Sequence, residues 1–541
     1  MLPSGPDDAA RAGVPEAIHP GHPRLRRAAV AAGWVGLGLL LALAIARLGS
    51  QVPFNSDQAS SMLEAWAMGH GNPLLHGWTL PSDSFVTSKL PLLALLETFQ
   101  GLSPAVASEA AGILGTAVVL AAVWLAGGRQ RGRTRAMAML ATGALLASQT
   151  LITPGGASSL PAGQLLPAEA DHAATLLLLL LAFLALQGGS RAWLVAVWVA
   201  LTVAGVGDPL GAVVGGGSVT IVAVIDLAVR RRDGARRNVA LLLVGVSSVL
   251  AVPLAWWVIQ RVGGFTAAPL LGDGYGLPAA VSSLGQNLSV GGRALLTVFG
   301  ADLVDQPAGI AWGSALLHLC GLVLVVAVLL PLLRPRCWLR LDPVSRVLIV
   351  GMLLDVAAYL IGQQATNLTS ARYLIPFLGF GAVLAGREGV PRLLAWRPRL
   401  SLGLAALGLA YAAVFTAGAV TAGAASPPLT AVTAWLTEHG QTEGLSTYWD
   451  ANVVTVSSRG AITVRAIETA PGEMTPYLWH SEGSWYDPAG SRATFVLLAR
   501  GDAADRDAVL EVLGAPTETA TVGGTTIMVW PGNLLARLSP P

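Results

Sequence analysis

The sequence predicts an α-helical polytopic membrane protein with a small C-terminal α/β domain. Three observations carry this. Hydrophobic residues make up 53% of the 541-residue chain and charged residues only 12%, so the mean hydropathy of +0.62 leaves too little polar surface for a soluble globule. Apolar runs of bilayer-crossing length recur as far as residue 421. Every basic cluster falls on one side of the topology those runs define.

Taken in order, the runs lie near 28–48, 105–127, 136–152, 173–187, 193–207, 209–229, 239–258, 309–333, 347–362, 373–386 and 401–421, about eleven crossings. The first 27 residues, rich in Pro, Ala and Arg, read as a disordered cytoplasmic leader, and Ala28 to Ile45 reads as a signal anchor. The basic clusters are Arg24, Arg26 and Arg27; Arg129, Arg131, Arg133 and Arg135; Arg191; Arg230 to Arg232 with Arg236 and Arg237; Arg334, Arg336, Arg340 and Arg346; and Arg387, Arg392, Arg397 and Arg399. They predict a cytoplasmic amino terminus and an extracytoplasmic segment 422–541. Cytoplasmic loops are then short, and the long loops, roughly 49–104, 153–172 and 259–308, lie outside, which is where function is expected.

The net charge of +2 gives no reason to expect nucleic acid, because the arginines sit at the ends of apolar runs. Cys320, within an apolar run, and Cys337, in a basic loop, have no metal-ligand company and no disulfide setting. Lys89 is the single lysine, a bias toward arginine that fits a GC-rich bacterial genome and hence a bacterial plasma membrane. In the tail, Leu429–His439 predicts a helix, Val453–Ser457, Ala461–Ala466 and Thr494–Leu498 predict strands, Ala503–Leu513 a second helix, and Thr519–Trp530 a Gly-Gly hairpin.

The first outside loop is the most polar part of the membrane half. Asp57 lies just past the first helix, ahead of a helical stretch with Glu64, and His70, His76 and Asp83 follow. The second outside loop ends in PAEADHAATLLLLLL, placing Glu169, Asp171 and His172 at the mouth of the next helix on the same side. Acids in two loops facing one compartment can divide the work of taking a proton from a hydroxyl and orienting it or a cation. The plainer reading is that acids sit there because water is near, with Asp171 serving as a helix-start residue. Asp208, in GVGDPLG, is placed to cap the helix opened by Pro209. Arg372, in TSARYLIPF, stands outside against the positive-inside pattern, where a guanidinium suits an anion such as phosphate. Asp355 falls mid-helix in VLIVGMLLDVAAYLIG, a position that is either functional or a hydrogen-bonded neutral acid. GDGYG at 272–276 lacks a nucleotide-binding context, Asn287 and Asn367 match glycosylation sequons by chance, and no Walker, paired-histidine metal or serine-elbow motif occurs.

The arrangement resembles the GT-C superfamily of membrane glycosyltransferases, which includes protein O-mannosyltransferases, aminoarabinose transferases and oligosaccharyltransferases. The resemblance covers most of the membrane half and rests on Asp57 in FNSDQASSMLEAWAMGHGNPL, on Glu169, Asp171 and His172 before the fourth helix, and on Arg372 in RYLIP. It implies transfer of a sugar from a polyprenyl-phosphate-linked donor to a glycan, lipid or protein acceptor outside the cytoplasm, usually with inversion. Asp57 would be the base and Arg372 the partner of the departing phosphate. Glu169, Asp171, His172 and Asp83 would position the acceptor or a metal. A divalent cation, Mg or Mn, on Asp57, Glu169 and Asp171 is the candidate cofactor. The sequence departs from the O-mannosyltransferase pattern of adjacent acids, since Gln58 follows Asp57, and it has no WWD triplet. Two other readings stand beside this one: a secondary transporter with Asp355 and Asp208 as coupling sites, and a non-catalytic envelope scaffold. In the tail, Tyr448, Trp449, Trp479, Trp485, Tyr486 and Trp530 offer aromatic faces of the kind sugars stack on, with core packing the plainer use.

Overall fold

The computed structural model describes residues 23–128, 130–147, 170–188, 191–229, 234–268, 282–304, 309–362, 365, 367–421, 423, 429–499 and 503–540. The expected leader is therefore outside the described residues up to residue 22, as is most of the second loop. All eleven apolar runs are helical where described. Eight helices are long and apolar enough to cross a membrane: Ala28–Gly49, Pro104–Gly127, Pro209–Val229, Ala235–Arg261, Ala315–Leu332, Pro343–Ile361, Leu368–Trp396 and Leu400–Thr421. The remaining three runs form shorter helices, Gly132–Ala147, Asp171–Leu186 and Ala192–Gly207. These abut residues outside the described set, so among the described residues eight of the eleven expected crossings meet the length and composition of a span.

Helices apolar on every face suit a lipid solvent, and leucines such as Leu40, Leu250, Leu402 and Leu409 point outward, exposed. Inward, close approach depends on small residues. Gly112, on the Pro104–Gly127 helix, lies so near the first helix that a Cβ there would sit 2.5 Å from the Ala42 carbonyl oxygen. The arginine-rich loops meet at one end of the bundle, where Arg387 donates to Leu125 O at 2.7 Å and pairs with Asp342 at 3.1 Å, and Arg133 bonds Ser401.

Nine strands occur among the described residues: β1 (Trp78–Leu80), β2 (Thr266–Ala267), β3 (Glu443–Ser446), β4 (Thr463–Ala470), β5 (Glu473–Pro476), β6 (Ser481–Glu482), β7 (Phe495–Leu498), β8 (Glu518–Val522) and β9 (Thr525–Val529). Six make the tail's sheet, in the order β5-β4-β3-β7-β9-β8, with β3 parallel to both β4 and β7. Both sheet faces are covered, so β7 is buried along its whole length: Phe495 and Leu497 face one apolar cluster, Val496 and Leu498 the other. The hairpin turns at Gly523 and Gly524, both at positive φ as a tight two-residue turn requires.

The expected strand Val453–Ser457 is a correction: it lies within a helix, Tyr448–Ser457. Its β-branched residues read as strand by propensity, but helical spacing lets this segment bury two faces. Val453 and Val456 pack on the first loop, while Ala451 and Val454 pack on the tail's own core. The strands β3 and β5 carry no hydrophobic alternation long enough to predict them.

The remaining three strands tie the parts together. β1 of the first long loop pairs in parallel with β2 of the third long loop and antiparallel with β6 of the tail. The third loop also contains a helix, Leu284–Val298, held by Asn287 donating to Leu360 O at 2.9 Å. The tail is thus built into the loop layer at the end of the bundle opposite the arginine-rich loops.

Candidate functional site

Helix Ser56–Gly69 begins at Asn55, whose side chain accepts from Gln58 N while Gln58 reaches back to Asn55 N. This capping box fixes the entry of the chain and sets Asp57 in the first turn, where the helix dipole favours a carboxylate. Asp57 Oδ2 lies 3.3 Å from Arg372 Nη1, and both side chains are about a quarter exposed, 25% and 26%. Its other oxygen, Oδ1, accepts a 2.7 Å hydrogen bond from Tyr448 Oη of the tail. Three segments far apart in sequence therefore meet at one carboxylate. Arg372 sits in a 3₁₀ helix, Leu368–Leu374, with its guanidinium also over the Tyr373 ring at 5.6 Å.

Around that centre the other acids are arranged. Tyr373 Oη donates to Asp83 Oδ2 at 3.4 Å, and the Tyr373 ring lies 4.6 Å from the His172 ring. His172 is buried, with Nδ1 3.0 Å from Asp208 Oδ2, which also accepts from Thr175 Oγ1 at 2.7 Å. Asp208 Oδ1 caps the following helix through Leu210 N, as expected. Burial raises the Asp83 carboxyl above the usual carboxylate range; Asp208 adds to this, and His172 and Arg372 oppose it. Asp171, in the first turn of its helix, pairs with Lys89, and Lys89 Nζ also donates to Ser61 Oγ at 2.7 Å. Glu169 lies outside the described residues.

The tail contributes more than Tyr448. His480 Nδ1 lies 2.6 Å from Glu64 Oε1, two turns along the helix from Asp57. Asn452 donates to Ser60 Oγ at 2.9 Å, and Ser56 Oγ donates to the Tyr448 carbonyl. His480 adopts φ +58°, a left-handed conformation uncommon for histidine, fixed by its N–H donating to Thr79 O at 2.9 Å. Burial alone would lower the His480 pKa, but the Glu64 charge and hydrogen bond, with Asp57 and Asp83, raise it above the ordinary histidine value. Burial and the neighbouring Asp57 push Tyr448 far above the usual tyrosine value, so its hydroxyl remains a donor.

The expected residues Asp57, Arg372, Asp83, Asp171 and His172 converge here, and Glu64 joins them. His70 and His76 do not. Each is exposed and bonded to a backbone carbonyl, His70 to Trp66 O at 2.8 Å and His76 to Gly263 O at 2.5 Å. Asp355, the second acid weighed as a coupling site, accepts from Phe377 N at 2.8 Å and so closes the amino-terminal end of helix Ile375–Leu384. Lys89 and His480 were not expected, nor was the hydrogen bond of Tyr448, expected as an aromatic face, to Asp57. The signal for Lys89 was its being the single lysine in an arginine-rich chain; the two tail residues have no local signal.

Of the expected metal set, Asp57 and Asp171 are described and Glu169 lies outside the described residues. Among the described residues no group of three or more His, Cys, Asp or Glu is arranged to hold an ion, and Asp57 and Asp171 each already face a cationic side chain.

Two crystal structures of ArnT from Cupriavidus metallidurans are similar to this chain, one in the apo state at 14% identity and TM-score 0.36, the other bound to undecaprenyl phosphate at 15% identity and TM-score 0.38. The alignments cover 95% and 94% of this chain and 100% and 99% of theirs. No family model and no curated protein matches.

Proposed function

We propose that the protein is a membrane glycosyltransferase that moves a sugar from a polyprenyl-phosphate-linked donor to an extracytoplasmic acceptor, with Asp57 as general base. The observation that carries this is the meeting of Asp57 and Arg372, 315 positions apart in sequence, as a half-open ion pair beneath Tyr448. A carboxylate and a guanidinium side by side at a membrane surface supply the two groups that such a transfer needs.

In this reading the acceptor hydroxyl oxygen attacks the anomeric carbon and its proton passes to Asp57. The bond from that carbon to the phosphate oxygen breaks with its electron pair, and Arg372 stabilises the resulting charge. Attack opposite the leaving group inverts the anomeric centre. When the donor phosphate draws Arg372 toward itself, Asp57 loses its ion-pair partner and the oxygen that faced it is free to take the acceptor's proton. Tyr448 keeps the carboxylate oriented. Lys89, buried beside Asp171, adds positive potential, and Asp83 and His172 line the path of the acceptor. No step in this scheme requires a metal.

The active face is assigned to the extracytoplasmic side because all the arginine-rich loops belong to the other end of the helices. The test is transfer of labelled sugar from polyprenyl-phosphate donors by protein reconstituted in lipid. Wild type should transfer sugar or hydrolyse the donor, Asp57→Asn should do neither at matched folding, and Arg372→Ala should bind donor weakly. If wild-type protein neither consumes nor binds donors carrying several different sugars, the proposal fails.

A further inference from the structure

We propose that Trp449 and Trp479 of the tail form an acceptor subsite that takes a carbohydrate chain and holds one of its hydroxyls toward Asp57. The proposal rests on the transferase reading of the Asp57 site and names the acceptor class that reading leaves open.

The tail's aromatic residues divide sharply. Tyr486 and Trp530 are buried in its core, and Trp485 packs edge-on against Trp78, with Arg465 over its ring. Trp449 and Trp479, by contrast, are 65% and 41% exposed, and they are the only large apolar side chains so exposed among the described residues of the tail. Leaving two indoles in water is unfavourable, and both flank one residue. The Trp479 ring lies near-parallel to Tyr448, with centroids 6.1 Å apart at 22°. Trp449 meets Tyr448 edge-on at 5.3 Å, and Tyr477 is tilted against it at 5.3 Å. Tyr448 in turn bonds Asp57. The two exposed indoles thus border the buried Tyr448, whose hydroxyl donates to the carboxylate assigned as base.

A pyranose or furanose ring has apolar C–H faces and a polar rim, so it packs on an aromatic face while its hydroxyls seek polar partners. The exposed Glu468 carboxylate, within electrostatic reach of Tyr477, offers one at the edge of this surface. The apolar helix Leu90–Gln100 exposes a different kind of surface, with Leu95 and Phe99, aliphatic and aromatic, side by side. The tail shows no exposed aliphatic companions to its two tryptophans among the described residues.

The test uses the full chain in lipid nanodiscs, with maltohexaose, mannohexaose and cellohexaose as probes followed by saturation-transfer NMR. At least one should bind wild type. The double variant Trp449→Ala/Trp479→Ala should weaken that binding at least tenfold, and Trp449→Phe/Trp479→Phe should stay within about threefold. Donor hydrolysis, which needs no carbohydrate acceptor, should be equal in all three, which separates loss of the subsite from loss of the fold. Tryptophan-dependent binding in a protein that consumes no donor would still support the subsite while the transferase reading fails. Absence of binding by wild type, or equal binding by the alanine variant, overturns the subsite. So does quenching of wild-type fluorescence by brominated lipid that disappears in the alanine variant, because it assigns the pair to the bilayer surface.

Discussion

Two arginine–aspartate pairs sit at opposite ends of this molecule and do different work. Arg346 and Asp226, at the arginine-rich end, are 1% and 8% exposed and join two membrane helices. Arg372 and Asp57 are 26% and 25% exposed and join a 3₁₀ turn to a loop helix under a third segment from the tail. The chemistry is the same, but the surroundings are not. A pair sealed from water has no room for a ligand and serves cohesion, whereas a half-open pair can exchange its partner for one that arrives from outside.

The largest expected effect separates the two pairs. Asp57→Asn should lower sugar transfer by roughly 10²–10⁴-fold, the usual worth of a general base, with thermal unfolding in detergent unchanged. Asp226→Asn should do the reverse, costing about 3–5 kcal/mol of stability because a buried guanidinium loses its counter-charge, while the folded fraction keeps its turnover. Equal loss of activity in both variants at matched folding would erase the contrast.

Arg372→Ala comes next, at about 10²–10³-fold in turnover, as for removal of one donor to a developing anion. Arg372→Lys should recover only part of this, since an ammonium lacks the planar fork. Tyr448→Phe should cost about tenfold, the value of a hydrogen bond to a charged group, and steady-state kinetics with labelled donor would read both.

A smaller effect concerns pH. His480 is raised above its ordinary value when docked on Glu64, so its contribution to tail docking is fully present below the pKa of a free histidine and is lost as pH rises through the raised value. The protection of β6 amides, exchange corrected for its intrinsic base catalysis, should therefore fall as pH rises above a free imidazole pKa near 6.5, and Glu64→Gln should flatten the profile. Protection independent of pH in wild type would remove the pair from the docking energy. The smallest effect is that of a chelator: turnover should stay within about twofold, since Asp57 and Asp171 face cations of the protein. Activity lost with chelator and restored by Mg or Mn would reassign Asp57 and Asp171, with Glu169, as metal ligands.

Legibility in the sequence followed the range of the interaction. Asp57 could be picked out because an acid just past a hydrophobic helix is conspicuous, and Arg372 because it contradicts the charge pattern around it. Asp208 revealed its capping role through the adjacent Pro209. The Val453–Ser457 helix was misread because β-branched propensity is weak against burial on two faces. His480 was invisible, since nothing near it in sequence distinguishes it; its partner Glu64 lies 416 residues away.

The sequence by itself determined the solvent of this protein and the order of its helices, because bilayer insertion is read from local runs of apolar residues and the charges that flank them. Tertiary structure alone decided that the tail completes the site. β6 pairing with β1, Tyr448 reaching Asp57 and His480 reaching Glu64 all depend on the docking of one folded unit onto another. Such contacts leave no periodicity or motif in either segment, since each side chain is suited to its own surroundings as well as to its distant partner.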